Sequence, residues 1–313
     1  MRDFFYDNGL CMKDDTIEMI EMPLSPTNFY ANYRVDINGE SRFFFKQAIK
    51  KSAQIHFGEE IEIARNLSEQ KIAPKLIYFN EEQYTLITEF IKNDEIILSH
   101  SNLELIANKL RRFHDTCNSY TKKFYNRKKE FWFTQFEKLP GNIKDDFKCV
   151  FEVMTNQNKF YDKNDIVVSH NDFHQSNILV NKNSAYLIDF DQMGRNSKYF
   201  DLATLSTSLK LNNSDEHFLL GAYCIDYDYE KFLIQKSICI AQYALAVISL
   251  VDNFENINVD PVESNIPFFW EGNSLLDIER SRFKLAYNFL NYYKKIMLQN
   301  AYDRLFKFNI AIS

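Results

Sequence analysis

Residues 166–205 read IVVSHNDFHQSNILVNKNSAYLIDFDQMGRNSKYFDLATL, and the remainder of the chain falls into place around them. Ile166-Val167-Val168 is a short apolar, β-branched run that ends at the polar cluster Ser169-His170-Asn171-Asp172. Asn177-Ile178-Leu179-Val180 and Ala185-Tyr186-Leu187-Ile188, joined by the turn formers Asn181-Lys182-Asn183-Ser184, predict a β-hairpin. The second strand runs straight into Asp189-Phe190-Asp191. A loop with a carboxylate and, five residues on, an amide is thus followed by a hairpin that returns two more carboxylates beside them.

Phosphoryl transfer from ATP needs that inventory. One carboxylate must orient the attacking hydroxyl and accept its proton, and oxygen ligands must hold Mg²⁺ against the phosphates. Asp172 fits the first role, and Asn177 with Asp189 the second. A lone His-x-Asp is common, and loop Asp and Asn residues are usually turn formers or caps. The weight lies in the combination of loop, spacing and hairpin. His170-x-Asp172-x4-Asn177 followed by Ile188-Asp189-Phe190-Asp191 resembles the motif shared by aminoglycoside phosphotransferases and choline/ethanolamine kinases. Asn171 and Asp191 stand where most protein kinases carry the Arg after His and the Gly of Asp-Phe-Gly.

The resemblance covers roughly residues 25–205. It implies a protein-kinase-like α+β fold of two lobes, a small β-rich N-lobe over residues 1–91 and a larger, mainly helical C-lobe over 92–313. It implies an ATP- and Mg²⁺-dependent small-molecule kinase with Asp172 as the catalytic carboxylate and Asn177 and Asp189 as metal ligands. His170 and Asp201 then support the catalytic loop, Asp201 by hydrogen bonds and as a helix N-cap in Phe200-Asp201-Leu202-Ala203. His174 sits where this superfamily has His or another polar residue and is not expected to bind metal. His114 resembles a structural histidine of the family and stays outside the site.

Upstream, Phe29 to Ile37 alternates, Asn38-Gly39 is a strong two-residue hairpin signal, and Ser41 to Gln47 returns as the partner strand. Residues 58–70 are good helix formers stopped by Ala73-Pro74, and two further strands follow around Asn80-Glu81-Glu82. This is the order of a kinase N-lobe. The resemblance implies that Lys46 contacts the nucleotide's phosphates and pairs with a helix glutamate. The distance from Glu60 to Pro74 matches choline-kinase-like sequences and selects Glu60, with Glu59 and Glu62 left open. Thr88-Glu89-Phe90-Ile91 resembles the lobe linker, where backbone groups of Glu89, Phe90 and Ile91 would meet adenine. One departure stands out. The loop that should cover the phosphates, residues 25–30, contains no glycine, and no G-x-G-x-x-G or Walker-type loop occurs anywhere.

Composition limits the alternatives. Of 313 residues 45% are hydrophobic and 16% aromatic, enough for a substantial core. A net charge of −6 argues against a nucleic-acid partner. Five cysteines, odd in number and without a Cys-x-x-Cys pair, suit a reducing cytoplasm and neither a disulfide framework nor zinc. No signal peptide is expected from residues 1–22, and the apolar run 238–251 reads as a buried helix too short for a bilayer. The cluster Lys122, Lys123, Arg127, Lys128 and Lys129 reads as a solvated helix face.

Between Leu211 and Arg280 twelve Asp/Glu stand against three Lys/Arg, a net of −9. With the aromatics of this stretch, an acidic acceptor pocket would favour a cationic acceptor through Coulomb and cation–π attraction. A solvated acidic surface is the competing reading. Asp191 and Trp270 are the pocket candidates. Choline or ethanolamine is the favoured acceptor, with an aminoglycoside or thiamine as alternatives. A catalytically silent kinase-like binding module is the alternative of another class.

Overall fold

The computed structural model describes residues 2–22, 29–55, 57–93, 99–118, 120, 129–182, 184–252, 254, 257 and 275–297. Trp270 and residues 25–28 of the phosphate-covering stretch lie outside them, as do residues 121–128 of the basic cluster. The chain forms two compact units, Met1–Thr116 with Ser176–Asp191, and Cys117–Gln175 with the described residues from Gln192 onward.

The first unit is built on a five-stranded antiparallel sheet in the order β1 (Ile17–Glu21), β2 (Tyr30–Ile37), β3 (Glu40–Ala48), β5 (Thr85–Glu89), β4 (Leu76–Asn80). Asn38 and Gly39 join β2 to β3 with φ of 53° and 78°, the left-handed pair that a type I′ turn requires. Gly39→Ala is therefore expected to cost about 1 kcal/mol in chemical denaturation. An unchanged midpoint would show that the turn does not constrain this residue.

Side chains alternate across β3. Phe43 and Phe45 face a cluster with Phe5, Val35 and Ile87, closed by the short helix α1 (Arg2–Asp7). Ala48 faces the opposite side, where Phe57 and Ile61 of α3 (Phe57–Glu69) pack with Leu86. Lys46 shares that second face because it lies two residues from Ala48. The one-turn helix α2 (Lys51–Gln54) leads into α3. Neither α1 nor β1 was expected from the alternating acidic and apolar residues of the N-terminus.

Helix α3 ends before the expected Ala73-Pro74 stop. Lys71 adopts φ 54°, and Ile72 N donates to Leu67 O at 2.8 Å, a left-handed C-terminal cap. Helix α4 (His100–Cys117) secures this corner, with Lys109 Nζ on Lys71 O (2.6 Å) and Arg112 on Gln70 O (2.8 Å). Burial, with the Arg112 charge beside it, pushes the Lys109 ammonium down to about 8.

The hairpin β7 (Ile178–Asn181) and β8 (Ser184–Leu187) also belongs to this unit. Leu187 N donates to Ile72 O (2.9 Å), Val180 N to Asn93 Oδ1 (2.7 Å), and Phe190 stacks on Phe113. The compact units are consequently drawn differently from lobes divided at residue 91, because α4 and this hairpin are hydrogen-bonded and stacked into the first unit.

The second unit is helical: α5 (Lys129–Lys138), α6 (Gly141–Asn156), α7 (Lys198–Leu209), α8 (Asn213–Tyr223), α9 (Tyr229–Ile248) and α10 (Leu275–Ile296). A two-stranded ladder pairs β6 (Ile166–Ser169) with β9 (Gly194–Ser197). Helix α9 packs against α6, α7 and α10. It begins nine residues before the apolar run seen in the sequence, and by length and composition it could cross a membrane. Its buried face includes Gln235, Lys236 and Ser237, and 67% of its most apolar window is buried inside the protein, which is the pattern of a core helix.

Candidate active site

Each unit carries part of the candidate machinery. In the second unit the chain leaves β6 through His170, Asn171 and Asp172. Asp201, fully buried on α7, accepts hydrogen bonds from His170 N and Asn171 N, both at 2.8 Å. Two backbone donors on one buried carboxylate hold this loop open at a fixed angle. Asp201 does not cap its helix. Ser197 does, accepting from Tyr199 N at 3.3 Å, because α7 starts at Lys198 and places Asp201 inside its first turn.

Asn171 adopts φ 66°, a left-handed conformation that Asn tolerates better than most residues. Its Nδ2 lies 3.2, 3.0 and 3.1 Å from the carbonyls of Ser169, Gln192 and Gly194, and its Oδ1 accepts from Asn196 Nδ2 at 2.8 Å. One buried amide thereby ties the catalytic-loop candidate to the strand that follows Asp189-Phe190-Asp191. Asn171→Ala should be about 1 kcal/mol less stable than Asn171→Gly, since both lose the amide and only alanine resists the left-handed backbone. Equal melting temperatures for the two would contradict that assignment.

Asp172 follows, its carboxylate one-third exposed and its Oδ2 3.6 Å from His174 Nε2. His170 is fully buried, with its ring against Phe173. Lys198 and Lys231 meet the buried Asp165 carboxylate at 2.9 and 2.8 Å, bracing the start of β6 against α7 and α9.

In the first unit, Lys46 Nζ lies 2.5 Å from Glu60 Oε1 and 3.7 Å from Asp189 Oδ1. Of the three helix carboxylates considered, Glu60 makes this contact. Burial alone would lower the Lys46 ammonium, but the charges of Glu60 and Asp189 outweigh it and hold its pKa above the ordinary lysine value. Tyr30, which the sequence did not single out, covers the pair. Its ring centroid is 3.9 Å from Lys46 Nζ, and its hydroxyl donates to Glu60 Oε2 at 3.1 Å.

The β7–β8 register pairs Ile178 with Leu187, and Ile188 N donates to Asn177 O at 3.1 Å. Asn177 and Asp189 are thereby brought to one end of the hairpin. Asp189 adopts φ 65°, its carboxylate 44% exposed, whereas Asn177 is buried. Asp191 is exposed in the short turn that follows. A carboxylate and an amide carbonyl are hard oxygen donors that fit Mg²⁺, which keeps most of its coordination for water and phosphate. Among the described residues no three His, Cys, Asp or Glu cluster as a metal cage.

Two of the three linker amides are engaged in the sheet, Glu89 N on Lys75 O and Phe90 N on Arg42 O. The Glu89 carboxylate accepts from Lys75 N at 2.7 Å. Much of the acidic stretch is structural as well. Asp228 caps α9, Glu279 accepts from Asp252 N, and Glu216 is buried against Lys236. Tyr229 stacks on His217, and Tyr243 on Phe289.

A family model described as choline/ethanolamine kinase matches residues 39–246, two-thirds of the chain. The chain belongs to the choline/ethanolamine kinase family. It is accordingly a small-molecule kinase. A LicA homolog from Mycoplasma capricolum subsp. capricolum is 24% identical over 171 residues, covering 54% of this chain and 69% of that protein. Two solved structures show that the family's protein-kinase-like fold is the fold seen here. Choline kinase LicA from Streptococcus pneumoniae superposes with a TM-score of 0.61 at 18% identity, covering 89% of this chain and 94% of that one. A spectinomycin phosphotransferase in complex with ADP and spectinomycin gives 0.55 at 15% identity, over 90% and 93%.

Proposed function

We propose that this kinase moves the γ-phosphoryl group of ATP to the hydroxyl of a small cationic acceptor, choline or ethanolamine first, with Mg²⁺ as cofactor. The observation that carries the reading is the buried Lys46–Glu60 pair with Asp189 beside it: a lysine kept charged and aimed, as phosphate binding requires. In this reading Asp172 orients the acceptor hydroxyl and takes its proton, and Asn177 and Asp189 hold Mg²⁺, which neutralises phosphate charge when bound. Residues 89–91 would receive adenine through their carbonyls or the Ile91 N–H, given that the other two N–H groups serve the sheet.

Choline and ethanolamine are favoured by the family and by the name of the pneumococcal neighbour. The excess of carboxylates in the second unit also supports a cationic acceptor, with Asp191 and Trp270 as pocket candidates. A reducing, cytoplasmic setting is proposed from the sequence, whose five cysteines are odd in number and include no Cys-x-x-Cys pair. No nucleic-acid partner is proposed.

A coupled ADP-release assay with Mg·ATP tests this against choline, ethanolamine, thiamine, kanamycin and spectinomycin. Acceptor-dependent ADP release with choline or ethanolamine, abolished by EDTA and restored by excess Mg²⁺, is the expected result. Turnover only with an aminoglycoside or thiamine would transfer the acceptor assignment. ATP binding without turnover on any acceptor would favour a binding module.

A further inference from the structure

Tyr30 is the first residue of β2, and the β2–β3 register sets Asn32 opposite Lys46 and Tyr30 opposite Ala48. Tyr30 and Lys46 are therefore diagonal neighbours on the face covered by α3, close enough for a large ring to reach across. The phenol touches both members of the ion pair. Its ring lies against the Lys46 ammonium, and its hydroxyl engages the Glu60 oxygen that Lys46 leaves unused. The two Glu60 oxygens are thus divided, one to the cation and one to the phenol. Burial, reinforced by the Glu60 charge and opposed by Lys46, raises the phenol above its ordinary range, so the hydroxyl remains a donor at working pH.

Tyr30 also closes the glycine-free stretch 25–30. Glycine-rich phosphate loops work because a backbone without Cβ can bring its N–H groups close to the ligand. With no glycine in that stretch, accurate placement of the lysine ammonium leans more on side chains. A ring and a hydroxyl anchored to both partners supply it.

We propose that Tyr30 is a positioning residue for nucleotide binding, holding Lys46 against Glu60 in the geometry that receives the phosphates. The inference rests on the ATP-dependent reading above. Its role is electrostatic and geometric, and it acts through Lys46.

The test compares wild type, Tyr30→Phe, Tyr30→Leu and, as a control for general loosening, Phe5→Ala on the opposite face of the sheet. Mg·ATP affinity is measured by calorimetry without acceptor, choline KM and kcat at saturating Mg·ATP, and melting by circular dichroism. Tyr30→Phe keeps the ring and should weaken Mg·ATP binding about threefold, and Tyr30→Leu about tenfold or more. Choline KM should stay at the wild-type value in both. A Tyr30→Leu protein with wild-type Mg·ATP affinity overturns the proposal. Equal losses for Tyr30→Leu and Phe5→Ala overturn it too, since they would mark loosening of the whole sheet. Wild type that binds no Mg·ATP would overturn the proposed function and this inference with it, an outcome distinct from normal wild-type binding with indifferent Tyr30 variants.

Discussion

Asp172→Asn should lower acceptor-dependent turnover by about 10²–10⁴-fold and leave Mg·ATP affinity unchanged. The substitution keeps the size and hydrogen-bonding reach of the side chain and removes its charge and its ability to take a proton. The loop around it should not move. Its backbone is held by Asp201 through His170 N and Asn171 N, and the Asn171 amide fastens it to Gln192 and Gly194, none of which depends on the Asp172 carboxylate. Asp172 is one-third exposed, so no buried charge is stranded by the change. Single-turnover rates and nucleotide titrations on the same preparation separate chemistry from binding. Wild-type turnover in this variant would remove Asp172 from the mechanism. Lost nucleotide affinity would instead mean that the carboxylate serves the phosphates.

The sequence carried the Asn38-Gly39 turn, the paired strands, the 178–187 hairpin and the character of α9 as a core helix, since each is written in short-range signals: a turn dipeptide, alternation, a long apolar run. The Lys46–Glu60 contact was also within reach, because β3 and the following helix are adjacent in the chain and only three carboxylates competed. Tyr30 was not. A regular two-residue hairpin would set Asn32 opposite Phe45, but an irregularity at Val35/Asp36 shifts the ladder by one residue and turns Tyr30 towards Lys46. No local pattern announces that shift. The β6–β9 pairing was equally hidden, as Gly194-Arg195-Asn196-Ser197 has no strand propensity and is extended because it is tied to β6 and to Asn171. Asp201 was legible as a support for the loop and misplaced as a cap, since Ser197 lies closer to where the helix begins. Part of the acidic stretch is structural for a reason no local pattern carries: charge can be counted in a sequence, but its neutralisation, as for Glu216 by Lys236, depends on which helices meet.

That neutralisation supplies the largest expected effect on stability. Lys236→Met should destabilise the protein by about 3–5 kcal/mol, because it strands the Glu216 carboxylate at 1% exposure. Glu216 would keep only Ser206 Oγ (2.5 Å) and the Tyr229 hydroxyl (2.8 Å) as donors, too little to replace water around a full charge. In the wild type burial works against the Lys236 ammonium, but Glu216, together with Tyr292, outweighs it and raises its pKa above the ordinary value. A raised lysine pKa contributes stability that is complete below the unfolded value and lost only as pH climbs through the folded one, so the Lys236 ammonium is charged near neutrality. The thermal midpoint should accordingly fall by about 10 °C. The double variant Lys236→Met, Glu216→Leu removes both charges and should recover most of that loss, whereas additive losses would show that the pair is not coupled. The cluster matters beyond stability. Ser206 is on α7, Glu216 on α8, and Tyr229 and Lys236 on α9, with the Tyr292 ring of α10 5.6 Å from the ammonium. The helix that carries Asp201, and through it the loop that presents Asp172, is fastened to its neighbours by this buried pair, so Lys236→Met should lose catalytic activity on warming well before wild type does.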